Sequence, residues 1–390
     1  MRQSGRVASS LLLALSCSVS VALSAAGEAE WAKSTKAWKK AQHQKAIAVL
    51  SSGIAKCEKG DQVKEKNYNL LHLQRGLFYQ YLGEIGKAQD DLWVAYAHSD
   101  VDKTDALKVK EFIFADAHNQ YKLAKREECF LHFILGLNEL MLGSPDRALV
   151  ELKKVKWIGA GEQKIEEELP DADLVRGVAH MRLRENDAAA VSIRKCLQQR
   201  PDFAPGYLLL ARVLELDPTL AMGTEETPES LMERYRELTQ SDPAPTDSDF
   251  IIIGVPPGGK GGRQELELCG RNIPVAPYVL GGLQPGFTAR EFWGEFGKEM
   301  ARHATREVLN QLTFGIAGMF VGGEENRTWY EVPQYFIMVP VSKGQEIGKI
   351  SLFGLNSKGA RIKKGSFGTI WRPRVDSGGL SFVLIGKEGK

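Results

Sequence analysis

The sequence lacks most of the features that would assign it a chemistry. It contains no CxxC, HExxH or GxSxG motif, which excludes the common redox, zinc and serine-nucleophile signatures. After the first 26 residues no uncharged apolar run reaches the roughly 18 residues of a membrane-spanning helix. Neither sign of charge predominates, because 51 basic and 49 acidic residues leave a net charge of +2. That balance gives no case for nucleic-acid binding.

The first 26 residues have the pattern of an export signal. Arg2 and Arg6 precede the apolar stretch Val7 to Leu23, and small residues follow up to Ala26. We expect cleavage after Ala26, which makes residues 1–26 a signal peptide. Two alternatives stay open: retention as an N-terminal anchor, and acylation of Cys17, whose preceding residues Ala-Leu-Ser resemble a permissive bacterial lipobox. Either alternative would attach the protein to a membrane.

Residues 27–240 have a helical pattern with internal repeats. Small residues recur at matched intervals, with a glycine followed twelve residues later by alanine and sixteen residues later by leucine or isoleucine: Gly76, Ala88 and Leu92; Gly136, Ala148 and Leu152; Gly177, Ala189 and Ile193. Weaker copies are centred on Ala46 and Leu50 and on Tyr207 to Leu238. Such spacing lets two antiparallel helices cross closely, while Gly83 and Gly143 suit the short turn between them.

The repeat pattern resembles the tetratricopeptide repeat and predicts a divergent α-solenoid. The alternative is a generic helical bundle in which the small residues coincide by chance. The interval from Gly76 to Gly136 is longer than one repeat, and a further amphipathic helix is expected at Asp105 to Lys122. The acidic run Glu166 to Glu168 is expected on a solvated helix face.

The composition changes at residues 241–249, where prolines and capping residues predict a linker. Residues 250–390 contain frequent glycine and short apolar runs, several of which alternate with the period of half-buried strands. A helix is expected at about residues 288–312, beginning at Thr288. The fold prediction is therefore an α + β multidomain protein, with a solenoid followed by a mostly antiparallel β-domain that embeds one long helix.

No catalytic constellation emerges from the candidates. The run Gly258 to Gly262 lacks the Ser or Thr and the following helix of a phosphate loop. His72 and His132 occupy the same position of two repeats, so packing explains them better than metal ligation. The five cysteines are widely spaced, and buried free thiols are expected. We therefore predict a protein that is not an enzyme and has no cofactor and no metal site.

Four stretches resemble an uncharacterised family of bacterial cell-envelope proteins, many of them lipoproteins. They are Phe133 to Val155, Phe250 to Val255, the helix expected at about residues 288–312, and Asn326 to Val341, where the last is similar to a strand pair of that family. The resemblance implies tetratricopeptide-like helices followed by a β-domain, and an envelope location. It implies no established activity.

The function predicted from these observations is a non-enzymatic interaction scaffold that is exported to the periplasm or associated with the outer membrane. In tetratricopeptide geometry the first helix of each hairpin lines a concave face. The predicted lining residues are Leu73, Leu77, Gln80, Tyr81, Phe133, Leu137, Leu140, Met141, Leu174, Met181, Arg182, Leu208, Arg212 and Glu215. Of these, Tyr81, Arg182, Arg212 and Glu215 are the candidates for polar recognition of protein partners. Because most of the others are apolar, the face is expected either to bind a hydrophobic helix or strand or to be covered in part by the Asp105 to Lys122 helix.

Two other functions remain as alternatives. One is an enzyme that acts on envelope polymers at a site between the solenoid and the β-domain. The other is a membrane-surface protein, held by a Cys17 lipid, by the N-terminal segment or by the stretch 288–321.

Overall fold

The computed structural model describes residues 26–59, 67–99, 123, 125–158, 166–168, 170–241, 248–255, 264–268, 270–281, 329, 333, 335–343, 350–355, 361–362, 367–368, 380–384 and 386–387. Several predicted features lie outside these residues: Cys17 and nearly all of the signal segment, the Asp105 to Lys122 helix, the run Gly258 to Gly262 and the helix at 288–312.

The described helices form five consecutive antiparallel hairpins. Their bounds are α1 Ala26–Lys39, α2 His43–Lys59, α3 Tyr68–Tyr81, α4 Ile85–Ser99, α5 Lys125–Met141, α6 Pro145–Leu152, α7 Pro170–Leu183, α8 Asn186–Gln199, α9 Ala204–Leu216 and α10 Pro228–Thr239. Each odd-numbered helix packs mainly against the helix that follows it, and α2, α4, α6 and α8 also contact the next hairpin. The hairpins therefore stack side by side in chain order.

The predicted small residues lie where the two helices of a hairpin cross. A Cβ added to Gly76 would lie 3.0 Å from Leu92, and one added to Gly136 would lie 2.8 Å from Leu152. The same addition at Gly177 would lie 2.6 Å from Ile193. Each glycine also approaches the backbone carbonyl of the alanine twelve residues later, and Ala88, Ala148 and Ala189 are fully buried. The steric prediction of a solenoid built on close helix crossings is thereby confirmed for these three hairpins.

The turns inside the hairpins repeat one backbone conformation. Gly83 and Gly143, at matched positions, have φ values of +74° and +80°, in the left-handed region that glycine adopts without steric cost. The equivalent residues of the first and fourth hairpins are Ala41, at φ +56°, and Arg184, at φ +61°. The backbone of these two residues adopts a conformation that costs an L-residue about 1–2 kcal/mol. The packing of the hairpin therefore outweighs the preference of these residues for negative φ.

The first hairpin is a complete copy of the repeat. Ser34 takes the place of the glycine, and Ala46 and Leu50 follow at the same intervals of twelve and sixteen residues, all three fully buried. The Ser34 hydroxyl donates a hydrogen bond of 2.7 Å to the carbonyl of Trp31, which satisfies it inside the helix crossing. The weak copy expected around Ala46 is therefore a full hairpin.

One local prediction was wrong. Glu166–Glu168, expected on a helix face, forms strand β2, which pairs antiparallel with β1 at Lys156–Ile158. This short β-hairpin connects α6 to α7. Three consecutive glutamates suit a solvated strand as well as a solvated helix, so composition alone could not separate the two.

Two four-stranded sheets follow the helices. Their strands are β3 Asp249–Val255, β4 Gln264–Leu268, β5 Arg271–Pro274, β6 Val279–Gly281, β7 Tyr335–Val341, β8 Ser351–Leu355, β9 Arg361–Ile362 and β11 Leu380–Leu384, while β10 Phe367–Gly368 and β12 Gly386–Lys387 form a separate pair. The strand order is β11-β3-β7-β6 in the first sheet and β5-β4-β8-β9 in the second. Among the described strands only the β11–β3 pair is parallel, which confirms the expectation of a mostly antiparallel region.

The pattern of buried residues shows that the first sheet is covered on both faces and the second on one. Every residue of β3 is buried, and β7 is buried except at Pro340, as expected for strands covered on both faces. Strand β4 alternates between buried and half-buried residues, as a strand with one covered face does. The first sheet is therefore the inner one. The buried residues of the helices and of this sheet belong to one continuous core.

Candidate partner-binding surface

The predicted concave face is largely covered by the chain's own inner sheet. Helices α3 and α5 contact β11, α7 contacts β6, and α9 contacts β7. Apart from Met141, which is half-buried, the lining residues of the second and third hairpins are accordingly buried: Leu73, Leu77, Gln80, Tyr81, Phe133, Leu137 and Leu140. In α5 every residue from Cys129 to Leu140 is buried, so this helix has no face towards solvent along that stretch. The expected hydrophobic ligand of the groove is a set of strands from the same chain.

An aromatic cluster fills the contact between α5 and the sheet. The Phe336 ring on β7 lies 4.9 Å from that of Phe133 and 6.2 Å from that of Phe130, measured between centroids. Phe382 on β11 lies 6.2 Å from Phe336, and Trp329 lies 5.0 Å from Phe130. Rings at these distances contribute packing energy beyond the burial of their area. The cluster makes the interface a part of the core.

Hydrogen bonds between polar groups hold the same interface together at two further places. Arg200, buried at the end of α8, donates hydrogen bonds of 2.9 and 2.8 Å to the carbonyls of Val279 and Leu280. These carbonyls lie in β6 where its register to β7 shifts, so the bulge in the strand presents them to the guanidinium. The hydroxyls of Tyr235 and Tyr278 are 3.1 Å apart, and burial raises the pKa of Tyr235. Each of these bonds joins the helical array to the sheet region.

The edge of the inner sheet at β11 is also occupied. The backbone N–H of Phe382 points at the sulfur of Met141, at 3.4 Å, and α3 and α5 lie against this strand. An uncovered edge strand is a template for pairing with another chain. The helical array therefore protects this edge at the same place where the sheet fills the groove.

The four residues predicted for polar recognition are not equally accessible. Tyr81 is 1% exposed and its ring lies 5.6 Å from that of Trp38, so the closed structure removes it from any partner's reach. Arg182 is half-buried and donates a hydrogen bond to the Leu140 carbonyl. Arg212, also half-buried, donates one of 3.3 Å to the carbonyl of Ser248, just before β3. Glu215 is exposed. Binding of a partner by these residues stays a prediction, but the burial of Tyr81 corrects its proposed role.

One end of the concave face remains open to solvent. At the carboxyl end of α9, Glu215 is exposed and the neighbouring Leu216 is 62% exposed. Arg212 lies one helical turn before Leu216 and is partly accessible. This uncovered end of α9 combines an acid, a base and a large apolar side chain within two turns. Such a mixture of charged and apolar groups is what a small recognition surface requires.

Two buried histidine–carboxylate pairs occur at one repeat position, and the sequence revealed only the histidines. His72 Nδ1 lies 2.8 Å from Asp91 Oδ1, and His132 Nδ1 lies 2.9 Å from Glu151 Oε2. Each pair joins the first helix of its hairpin to the second. The matched spacing of nineteen residues between histidine and carboxylate was visible in the sequence and could have identified both partners. As expected, the histidines serve packing inside the hairpins.

The second-hairpin pair extends into a network. Arg75 donates two hydrogen bonds of 2.7 Å to Asp91 and one of 2.9 Å to the Ser51 hydroxyl of the preceding hairpin. Burial of the Asp91 carboxylate opposes its ionisation, but the hydrogen bonds from Arg75 and His72 outweigh burial and lower the pKa of Asp91 below its ordinary 3.8. The network thus fixes the first two hairpins to each other through one ionised side chain.

The described cysteines are buried, as expected. Cys57, Cys129 and Cys196 are buried and unbonded to one another, and burial raises the pKa of the Cys196 thiol well above its usual value. Within the described part of the chain no group of three or more His, Cys, Asp or Glu residues could hold a metal ion. None of the helices described here is both long and apolar enough to cross a bilayer.

The helix crossings, turns and stacking described above define a tetratricopeptide-like array of helical hairpins. No protein-family model matches the chain, and no curated protein matches it in sequence.

Among solved structures the chain is similar to the MamA protein, with 14% identity, 55% of this chain and 92% of that chain covered and a TM-score of 0.39. It is also similar to YrrB, a TPR protein with an unusual peptide-binding site, with 12% identity, 54% of this chain and 86% of that chain covered and a TM-score of 0.38. For PilW, a type IV pilus biogenesis factor, the identity is 16%, the match covers 56% of this chain and 80% of that chain, and the TM-score is 0.36. At these scores the overlays carry no functional inference.

Proposed function

We propose that the chain is a non-enzymatic interaction scaffold of the bacterial cell envelope, and that it binds protein partners at the uncovered end of α9. The proposal is carried by one observation, which is that one part of the concave face is covered and another part is exposed. The sheet occupies the part lined by α3 and α5, whereas Glu215 and Leu216 remain exposed. A single exposed apolar side chain is ordinary on a protein surface, so Leu216 supports the proposal only through its place beside Glu215 and Arg212 at this end of the concave face.

The partner proposed for this surface is a protein segment with one apolar side chain flanked by charge. Leu216 would pack against the apolar side chain, while Glu215 and the accessible part of Arg212 would pair with charges on either side of it. Arg182 and Arg212 both hold carbonyls of the chain itself, so reversing their charge would also disturb the docking of the sheet. Glu215 and Leu216 are therefore the sharper probes of binding.

A photo-crosslinking residue at position 216 tests the proposal in intact cells. We expect a discrete adduct that disappears when Glu215→Lys is added. The matched control places the same crosslinker at Val191, which is 54% exposed on the second helix of the fourth hairpin and outside the concave face. Equal adducts from both positions, or no adduct at position 216, would count against this surface.

The envelope location is the second part of the proposal and rests on the N-terminal pattern of Arg2, Arg6, the apolar stretch and Ala26. Sequencing the mature N-terminus after cell fractionation tests it. A chain beginning at Gly27 in the periplasmic fraction supports cleavage, and an acylated Cys17 in a membrane fraction supports lipoprotein anchoring. An intact Met1 terminus in the cytosol would contradict both.

A further inference from the structure

The two ends of the helical array carry opposite charge. The first hairpin, residues 26–59, contains seven lysines and three glutamates, a net charge of +4, whereas the fifth, residues 204–239, contains three basic and seven acidic residues, a net charge of −4. The three hairpins between them, residues 67–99, 125–152 and 170–199, have net charges of −1, −2 and +1. The array is therefore basic at one end and acidic at the other, and such local fields act on partners even where the total charge is small.

The contact between the first two hairpins shows which positions meet when hairpins stack. The ring of Trp38 on α1 lies parallel to that of Phe78 on α3, with their centroids 3.8 Å apart. Trp38 lies four residues after Ser34, and Phe78 lies two residues after Gly76, the matched small residues of their hairpins. We call the first of these the trailing position of a hairpin and the second its leading position.

Inside the array the stacking of the hairpins covers both positions. Ala211 is the small residue of the fifth hairpin, because it lies five residues before the end of its helix, as Gly76 and Gly136 do in α3 and α5. The leading positions that follow another hairpin are Phe78, Asn138, Ala179 and Val213, and all are buried. The trailing positions that precede another hairpin are Trp38, Gln80 and Leu140, which are buried, and Met181, which is half-buried.

The leading position of the first hairpin and the trailing position of the fifth have no neighbouring hairpin. They are Lys36 and Glu215, and both are exposed. Lys36 lies two residues from Trp38, about 200° around α1, so it faces away from the second hairpin. Neither residue forms an ion pair or a side-chain hydrogen bond within the part of the chain that the structure describes.

Opposite charges at the two ends are not explained by solubility. The terminal units of a repeat array need polar outer faces, but two ends of the same sign would repel each other and keep the chains apart better. With opposite signs, the fifth hairpin of one copy attracts the first hairpin of another. If the stack continued from copy to copy, Lys36 would lie against Glu215 as Phe78 lies against Trp38.

We propose that the protein associates with itself head to tail, by stacking the first hairpin of one copy on the fifth hairpin of the next, with Lys36 paired to Glu215 across the joint. The inference rests on the proposed function, because it assigns a partner to the same open end of α9. Such a contact joins two different surfaces, so each added copy leaves one free end of each kind. The product is an open chain of copies, or a ring where the rotation closes.

Sedimentation of the protein as it is purified from cells, across a concentration series, tests this proposal. We expect the average mass to rise beyond one copy with concentration at low salt and to fall towards one copy at high salt. Lys36→Glu and Glu215→Lys are each expected to weaken self-association at least about tenfold, because an attraction between unit charges becomes a repulsion. An equal mixture of the two variants, and the double variant K36E/E215K, are expected to restore it. Recovery in the mixture also shows that each single variant is folded.

The matched controls make the same charge changes in the same two hairpins, at positions that do not face a neighbouring hairpin. Lys45 precedes Ala46 as Lys87 precedes Ala88, and Lys87 is exposed inside the array. Glu233 is exposed on α10, two residues from the buried Tyr235 and so on the other side of the helix. Lys45→Glu and Glu233→Lys are expected to associate as the wild type does.

A single-copy mass of the wild type at every concentration would overturn the inference. Equal weakening by the control variants would do so too, since net charge and not the stacked positions would then be responsible, and so would a failure of the mixture and the double variant to recover. A single-copy mass together with an adduct from position 216 to a different protein would overturn this inference and leave the proposed function standing. The absence of any adduct from position 216 counts against the proposed function, while sedimentation still decides self-association.

Discussion

Replacing Arg200 with Ala tests whether the helical array and the inner sheet are one cooperative unit. The change removes two hydrogen bonds from a guanidinium that is 3% exposed, and leaves the carbonyls of Val279 and Leu280 without this donor. A hydrogen bond from a charged group contributes about 1.5–3 kcal/mol, so the free energy of unfolding is expected to fall by about 3–6 kcal/mol. The ion pair of Arg200 with Asp202 adds little, because the Asp202 side chain is 42% exposed.

Urea unfolding at neutral pH measures this loss. Far-ultraviolet circular dichroism follows the helices, and tryptophan fluorescence provides a second probe of the transition. Because the core is continuous, we expect both signals to change at one lowered midpoint with an unchanged denaturant slope. Two separated transitions in the variant would show that Arg200 holds together parts that are otherwise independent.

Arg194→Ala is the matched control. Arg194 lies on the same helix and pairs with Glu226 at 2.8 Å, but both side chains are partly exposed. Its loss is expected to cost about 1 kcal/mol or less. Equal losses for the two arginine variants would refute the reasoning, because the buried bridge would then be worth no more than a surface ion pair.

Three further predictions concern the repeats. Gly136→Ala is expected to lower the free energy of unfolding by about 1–3 kcal/mol, because the new methyl group would lie 2.8 Å from Leu152; thermal unfolding checks this, and unchanged or raised stability would contradict it. Arg184→Gly is expected to raise the melting temperature, since it removes the cost of about 1–2 kcal/mol that a non-glycine residue incurs in the left-handed conformation. A lower melting temperature would show that the contacts of the arginine side chain outweigh this backbone cost. Asp91→Asn is expected to destabilise the fold most at neutral pH. The pKa of Asp91 is lowered, so its contribution is complete above the ordinary value of 3.8 and is lost as pH falls through the folded value; urea midpoints that differ from those of the wild type by the same amount at pH 7 and pH 3 would contradict this.

The helical array could be predicted from the sequence because its determinants are local and repeated. A glycine and an alanine twelve residues apart indicate where the two helices of one hairpin cross, and Gly83 and Gly143 indicate the turn between them. The first hairpin was less visible because Ser34 stands where glycine was expected. Its hydroxyl bonds to its own helix, so the crossing stays close without a glycine.

The cover over the groove could not be predicted in the same way. Apolar residues such as Phe133 and Leu137 on the first helices are compatible with a bound peptide, with another helix, or with a sheet of the same chain. The contact with Phe336 joins residues about two hundred positions apart, and no spacing rule reports such a distance. The parallel pairing of β11 with β3 is equally long-range, since strand patterns indicate which face is buried but not which strand is the neighbour.

The energetics of the cover decide where a partner can bind. Burial of a phenylalanine side chain contributes about 1.5–3 kcal/mol, so a ligand that displaced the sheet and exposed Phe336 and Phe382 would lose about 3–6 kcal/mol. Since about 1.4 kcal/mol corresponds to a tenfold change in affinity, that cost weakens binding by a factor of about a hundred to ten thousand. A ligand at Glu215 and Leu216 incurs no such cost, because these side chains are already exposed. Partner contacts are therefore expected at the open end of α9, and the filled part of the groove acts as the support that holds this end in place.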